Sequence, residues 1–164
     1  MIKITKEHKY FQMGNHIQPA ARVHLPATII LETNDCYDGD MSPDKDCHIK
    51  DIDLSRGNPT TGPVYFEGVV PGDVLEIHID KIKMASPGFS FCGVKEGFLQ
   101  EESGVEELRW YHFDDEGINF GRGIKLPLMP MIGEIGVAPA DGPIRNLYPG
   151  DYGGNMDTSL IKEG

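Results

Sequence analysis

Val74-Leu-Glu-Ile-His-Ile-Asp-Lys-Ile82 is the stretch whose pattern sets the fold class. Leu75, Ile77 and Ile79 alternate with Glu76, His78 and Asp80. Side chains repeat every two residues along an extended chain, so this run presents one apolar and one polar face and reads as a half-buried strand. After Asp80 the phase slips, since Ile82 rather than Lys81 is apolar. A bulge or the end of pairing near Asp80 accounts for the slip.

Pro71-Gly72-Asp73 precedes the run. Proline presets φ and glycine takes positive φ, so this tripeptide reads as a turn. On its other side Val64-Tyr-Phe-Glu-Gly-Val-Val70 is also strand-like, and the two runs predict an antiparallel hairpin. Ala27-Thr-Ile-Ile-Leu-Glu-Thr33, rich in β-branched residues, predicts a strand. So does the aromatic Leu108-Arg-Trp-Tyr-His-Phe113. The one helix candidate, Phe98 to Leu108, is irregular and interrupted by Gly104. Gly (20) and Pro (12) make about a fifth of the 164 residues, so the chain turns often. Many short strands between Gly/Pro turns predict an all-β fold, a jelly-roll-like β-sandwich.

The net charge of −11 repels phosphate backbones and anionic lipid, which argues against nucleic acid and membrane surfaces as partners. The longest apolar stretch, Ala27 to Leu31, is far short of a membrane span, and Met1 to Glu7 has no apolar signal core. Cys36, Cys47 and Cys92 are odd in number and form no C-x-x-C pair. A reducing cytoplasm fits that usage better than a disulfide framework.

The segment from Asp35 to Asp53 holds seven aspartates, at 35, 38, 40, 44, 46, 51 and 53. Carboxylate oxygens are hard ligands for a divalent cation, but an EF-hand register started at Asn34 puts Lys45 at position twelve, where a bidentate Glu belongs. On residue type alone the segment reads as a solvated acidic loop. The six histidines form no close ligand pair, and the chain has no G-x-S-x-G elbow, P-loop or dinucleotide fingerprint. Cys36 is a nucleophile candidate by type alone. Gly153-Gly154-Asn155-Met156-Asp157, after Pro149-Gly150-Asp151-Tyr152, is a loop that can bring an amide and a carboxylate to short range. A surface turn is the plain alternative.

Three sets of motifs in order along the chain resemble the acetamidase/formamidase family. They are Pro19-Ala-Ala-Arg-Val23 leading into Glu32-Thr33-Asn34-Asp35-Cys36; Asn58-Pro-Thr-Thr-Gly-Pro63 through Glu67-Gly68 to Pro71-Gly72-Asp73-Val-Leu75; and Pro130-Met-Ile-Gly133-Glu-Ile-Gly136-Val-Ala-Pro139 followed by Gly153 to Asp157. The resemblance implies a β-sandwich enzyme that hydrolyses small linear amides such as formamide and acetamide to a carboxylate and ammonia. It implies a divalent metal, zinc ahead of calcium, with Asp35 as ligand. Asn155 and Asp157 are the implied catalytic residues, positioning metal or substrate. Gly153, Gly154 and Glu134 line the substrate site. A metal of this kind polarises the carbonyl or acidifies a bound water, and a further acid protonates the departing amine.

Family members are roughly twice as long by resemblance, and their Gly-Asp-x-His and Gly-Asp-Gly-Glu motifs do not occur here. Residues 1–164 are therefore expected to be the N-terminal β-sandwich portion, with the general acid/base in a C-terminal half that this chain lacks. The expected partners are a small amide, that missing half or a second chain, and further copies in a homo-oligomer. The alternative is a non-catalytic β-sandwich module for oligomerisation or calcium binding.

Overall fold

The computed structural model describes residues 1–48, 50, 52–93, 106–114 and 116–164. Sixteen short strands occur among them. They are β1 (Ile2–Ile4), β2 (Lys9–Tyr10), β3 (Gln12–Met13), β4 (Ala21–Val23), β5 (Ile29–Leu31), β6 (Thr60–Thr61), β7 (Val64–Phe66), β8 (Gly88–Cys92), β9 (Glu107–Tyr111), β10 (Phe113–Asp114), β11 (Gly117–Gly121), β12 (Ile124–Leu126), β13 (Glu134–Gly136), β14 (Ile144–Arg145), β15 (Pro149–Gly150) and β16 (Gly153–Asn155). A 3-10 turn spans Leu54–Arg56. The fold is all-β, as the β-branched and aromatic runs and the turn density predict.

The strands form small, unclosed sheets of two or three. Two pairs are parallel, β1 with β5 and β4 with β7. The others are antiparallel, including β2 with β6, β3 with β14, and the three-stranded order β13-β16-β15. Ile4, Val23, Met13, Met41 and Tyr152 are the buried apolar side chains. This core joins strands of the first third to Tyr152 in the turn between β15 and β16, and β14 pairs with β3, so the C-terminal third is packed into the first.

The Ala27–Thr33 strand is present as β5, and the aromatic run is present as β9 and β10 with a break at His112. Phe89 of β8 sits opposite Trp110 of β9, with ring centroids 4.9 Å apart. The helix candidate falls largely on 98–105, outside the described residues, and its last two residues, Glu107 and Leu108, begin β9.

The expected hairpin differs. Its turn is present: the Asp73 amide donates to the Val70 carbonyl at 3.1 Å, and the Val70 amide donates to Asp73 Oδ2 at 2.9 Å. Yet β7 pairs with β4 in parallel, Val64 opposite Ala21, and Val74–Ile82 joins no ladder among the described residues. Alternation specifies which face of a strand is apolar but not which edge it joins. Val74 and Ile77 remain exposed, and the run is tied instead to the chain's end, where Gly164 N–H donates to the Ile79 carbonyl and Ile82 N–H to Glu163 Oε1.

Candidate functional site

Glu134 opens β13 and lies directly opposite Asn155 of β16. Cross-strand partners in an antiparallel pair project from the same face, so these two side chains share one side of the sheet. The glycines of β16 make that pairing close. Gly153 and Gly154 have φ of +99° and +85°. A Cβ there would come within 2.4 Å of the Ile135 carbonyl oxygen or 2.5 Å of the Tyr148 carbonyl oxygen, respectively. Only glycine combines that backbone conformation with that proximity. Beyond β16 the amides of Met156 and Asp157 both donate to the Gly133 carbonyl at 3.0 Å, which folds the chain back beside Glu134. Asn155 Nδ2–H donates to the Leu147 carbonyl at 3.4 Å. Gly153, Gly154, Glu134, Asn155 and Asp157 thus converge at one end of one small sheet.

Glu134 is half-buried, and its Oε1 is buried with no hydrogen-bond partner. Burial pushes its carboxyl up to about 7, with the Thr60 hydroxyl pulling it down and the Asp157 charge pushing further up. A carboxyl in this state exchanges its proton near neutrality, the property required of a general acid or base.

Asn146 lies beneath Thr60 and is 1% exposed. Its Nδ2 donates to the Tyr10 and Asn58 carbonyls at 2.7 Å each and to Thr60 Oγ1 at 2.9 Å. Its Oδ1 is buried without a partner.

Asp35 sits at the head of the aspartate segment. Its Oδ1 and Oδ2 accept from the amides of Tyr37 and Gly39, both at 2.9 Å, so the carboxylate caps its own turn. The neighbouring thiol of Cys36 is raised above its ordinary value by the protein crowded around it, by the Asp35 charge and by the Asp157 charge. The charges of both sequence-predicted carboxylates thus reach the Cys36 thiol. A raised thiol is a poor nucleophile.

The Asp38 carboxylate is fully buried between Lys9, at 2.5 Å, and Arg56. Burial alone would raise this carboxyl, but hydrogen bonds and charge from Lys9 and Arg56 hold it below the usual range. Asp38 is thereby engaged as an internal anchor. Tyr37 packs its ring on Phe89 and Phe91, with centroids 5.9 and 6.2 Å away, which ties the acidic turn to β8. Asp51 lies outside the described residues.

Among the described residues no three His, Cys, Asp or Glu side chains gather as a metal ion requires. Asp35 offers one carboxylate, with a lone pair on each oxygen beyond those its turn uses. These residues alone do not fit a complete metal site.

Sequence reasoning identified the β13–β16 group but missed Thr60 and Asn146. Thr60 belongs to the Asn58–Pro63 motif, which carries part of the resemblance without revealing a role. Asn146 is isolated in Ile144-Arg-Asn-Leu147, and no local pattern marks it.

The chain resembles proteins of known structure across its whole length. An acetamidase of Bacillus halodurans is 36% identical, with a TM-score of 0.93 over 99% of this chain and 55% of that one. A predicted acetamidase/formamidase of Thermoanaerobacter tengcongensis is also 36% identical, with a TM-score of 0.92 over 99% of this chain and 54% of that one. A Schizosaccharomyces pombe protein that carries a provisional formamidase name is 32% identical over 124 residues, 69% of this chain and 30% of that protein. The chain thus spans about half the length of the solved relatives. The sequence profile described as the Acetamidase/Formamidase family matches residues 3–147. That match stops short of Gly153–Asp157, which the structural similarity covers. By its sequence and its fold, this chain belongs to the acetamidase/formamidase family.

Proposed function

We propose that this chain carries part of the active site of an enzyme that hydrolyses small linear amides, of the formamide and acetamide kind, to a carboxylate and ammonia. The observation that carries this reading is Glu134. It is a partly buried carboxyl, pushed up to about 7, with one unpartnered oxygen on the sheet end that also bears Asn155 and Asp157. Amide cleavage at neutral pH needs a group that protonates the departing nitrogen, because an amide anion is too basic to leave. Protonated Glu134 holds that proton close to neutrality. Burial keeps it there, the Asp157 charge adds to the effect by disfavouring ionisation, and Asn155 shares the face on which a small amide would lie. Gly153 and Gly154 give that amide backbone rather than side chains to approach. This reading moves the proton donor into this chain, where the sequence had placed it in a further half.

The metal belongs to the same proposal. A divalent ion, zinc ahead of calcium, would polarise the amide carbonyl and acidify a water when bound. Asp35 is the donor this chain offers it. The other ligands would come from a further portion of the family fold or a second chain, in an enzyme that assembles from several copies. A cytoplasmic location is part of the reading, supported by the free thiols of Cys36 and Cys47. No helix among the described residues is long and apolar enough to cross a membrane.

The test is a graft in which this chain replaces the matching portion of the Bacillus halodurans acetamidase. Ammonia release from formamide or acetamide is expected, with a loss of at least 100-fold in Glu134→Gln. A folded graft whose E134Q variant hydrolyses amides at the unmodified rate overturns the role of Glu134. A folded graft that binds calcium and releases no ammonia supports a non-catalytic module instead.

A further inference from the structure

We propose that the run Val74–Ile82 is an open sheet edge that receives a β-strand from the portion of the acetamidase/formamidase fold lying outside this chain. The proposal deepens the reading above, since it rests on that portion completing the enzyme, and it names where the two meet.

The run has the sequence of a half-buried strand and lacks what such a strand needs. Two hydrogen bonds hold its backbone, both to the same short segment. Gly164 N–H donates to the Ile79 carbonyl at 3.2 Å, and Ile82 N–H donates to Glu163 Oε1 at 2.7 Å. The amides from Val74 to Lys81 and the carbonyls from Val74 to His78 have no partner among the described residues. The apolar side is equally incomplete. Leu75 and Ile79 are half-buried, while Ile77 between them is 57% exposed and Val74 is 95% exposed. Val70 before the turn and Met84 after the run are exposed as well. A bare edge beside uncovered apolar side chains invites pairing, and folded proteins cover such edges or blunt them. Adding a strand satisfies the backbone groups by ladder bonds and lets alternate side chains complete the apolar face.

Two observations favour this occupant over a second copy of the chain. The solved acetamidase of Bacillus halodurans superposes on 99% of this chain with a TM-score of 0.93, yet the match takes in only 55% of that protein. The matched fold therefore carries a further portion of nearly its own size, and that portion has to pack on surface that the matched part leaves open. A second copy, by contrast, would bring one net charge of −11 against another. Like charges of that size oppose self-association. The polar side of the run adds to this locally, since Glu76 and Asp80 are both exposed on it.

The experiment measures amide hydrogen exchange at residues 74–81 in the chain alone and in the graft on the Bacillus halodurans acetamidase. In the chain alone these amides are expected to exchange at close to the rate of an open chain. In the graft they are expected to slow by about 100-fold or more, as ladder bonds require. Ile77→Asp is expected to leave the melting of the chain alone unchanged and to lower that of the graft by about 5 °C. If the graft does not fold, the same exchange is read on the chain mixed with the remaining portion of that acetamidase, and the same slowing is expected. A folded graft, or a bound mixture, whose amides at 74–81 exchange as fast as in the chain alone overturns the proposal. So does slowing in the chain alone that grows with its concentration, which would assign the edge to a second copy. Slowed exchange in a graft that releases no ammonia supports the edge and overturns the amidase reading. Ammonia release with unslowed exchange overturns the edge and leaves the amidase reading standing.

Discussion

The Gly133 carbonyl accepts the amide of Asp157 at 3.0 Å, and a Cβ on Gly133 would stand 2.8 Å from Asp157 Oδ1. The glycine immediately before Glu134 thus makes room for the Asp157 carboxylate. The obstruction is the tip of an exposed side chain, which can swing away. Gly133→Ala is expected to cost under about 1 kcal/mol of stability. In the graft it displaces the Asp157 carboxylate and lowers ammonia release at least tenfold. Thermal melts beside the ammonia assay check the split. Equal losses in both would assign Gly133 to folding.

Glu134 makes stability depend on pH in a direction opposite to most carboxylates. Its folded value, about 7, lies above its ordinary 4.5. Between those values the folded chain holds a proton that the unfolded chain has released, so stability falls as pH rises. The loss is about 2 kcal/mol between pH 5 and pH 8. Each tenfold difference in proton affinity between the folded and unfolded chain carries about 1.4 kcal/mol, and water reaching the half-buried carboxyl reduces the total. Urea unfolding at both pH values measures it. E134Q is expected to remove the slope and to be the more stable protein at pH 8.

Asp38 acts with the usual sign. Held low by Lys9 and Arg56, it contributes stability above its unfolded value of about 3.8 that is lost as pH falls through the folded value. Asp38→Ala leaves two cations without their shared partner. Removing one member of a buried pair costs about 3–5 kcal/mol. Here Lys9 and Arg56 retain access to water, so about 2 kcal/mol is expected by denaturant titration.

Asp35→Ala strips the partners from the Tyr37 and Gly39 amides. The turn is exposed and water replaces the carboxylate, so the expected cost is about 1 kcal/mol. Loss of metal from the graft, by elemental analysis, is expected at the same time. A graft of Asp35→Ala that keeps its full metal content removes Asp35 from the ligand set.

The all-β class was legible because β-branched runs and turn residues are local signals, whereas the alternating run Val74–Ile82 joins no ladder among the described residues. Ala27–Thr33 shows this, enclosing β5 at Ile29–Leu31. Partnership was not legible. Val64–Phe66 bonds to Ala21–Val23, more than forty residues earlier, rather than to the run across its own turn. The site divides in the same way. The Gly-Gly of β16 announces a close backbone approach by composition, and Glu134 lies within a motif. The proton affinity of Glu134 is a property of burial and of Asp157, which only the folded chain supplies. Asn146 carries no signal because its three acceptors belong to segments far away in sequence.

Asn146 reaches Tyr10 across 136 residues and Asn58 across 88. Such spans close last when a chain folds, since each large loop must be drawn in before its contact is rewarded. The Asn146 contacts are therefore completed only with the final docking of the C-terminal third. In the proposed amidase, opening of that third is expected to abolish ammonia release before the N-terminal strands melt, making ammonia release a more sensitive gauge of native structure than the spectroscopic signal of the sheets.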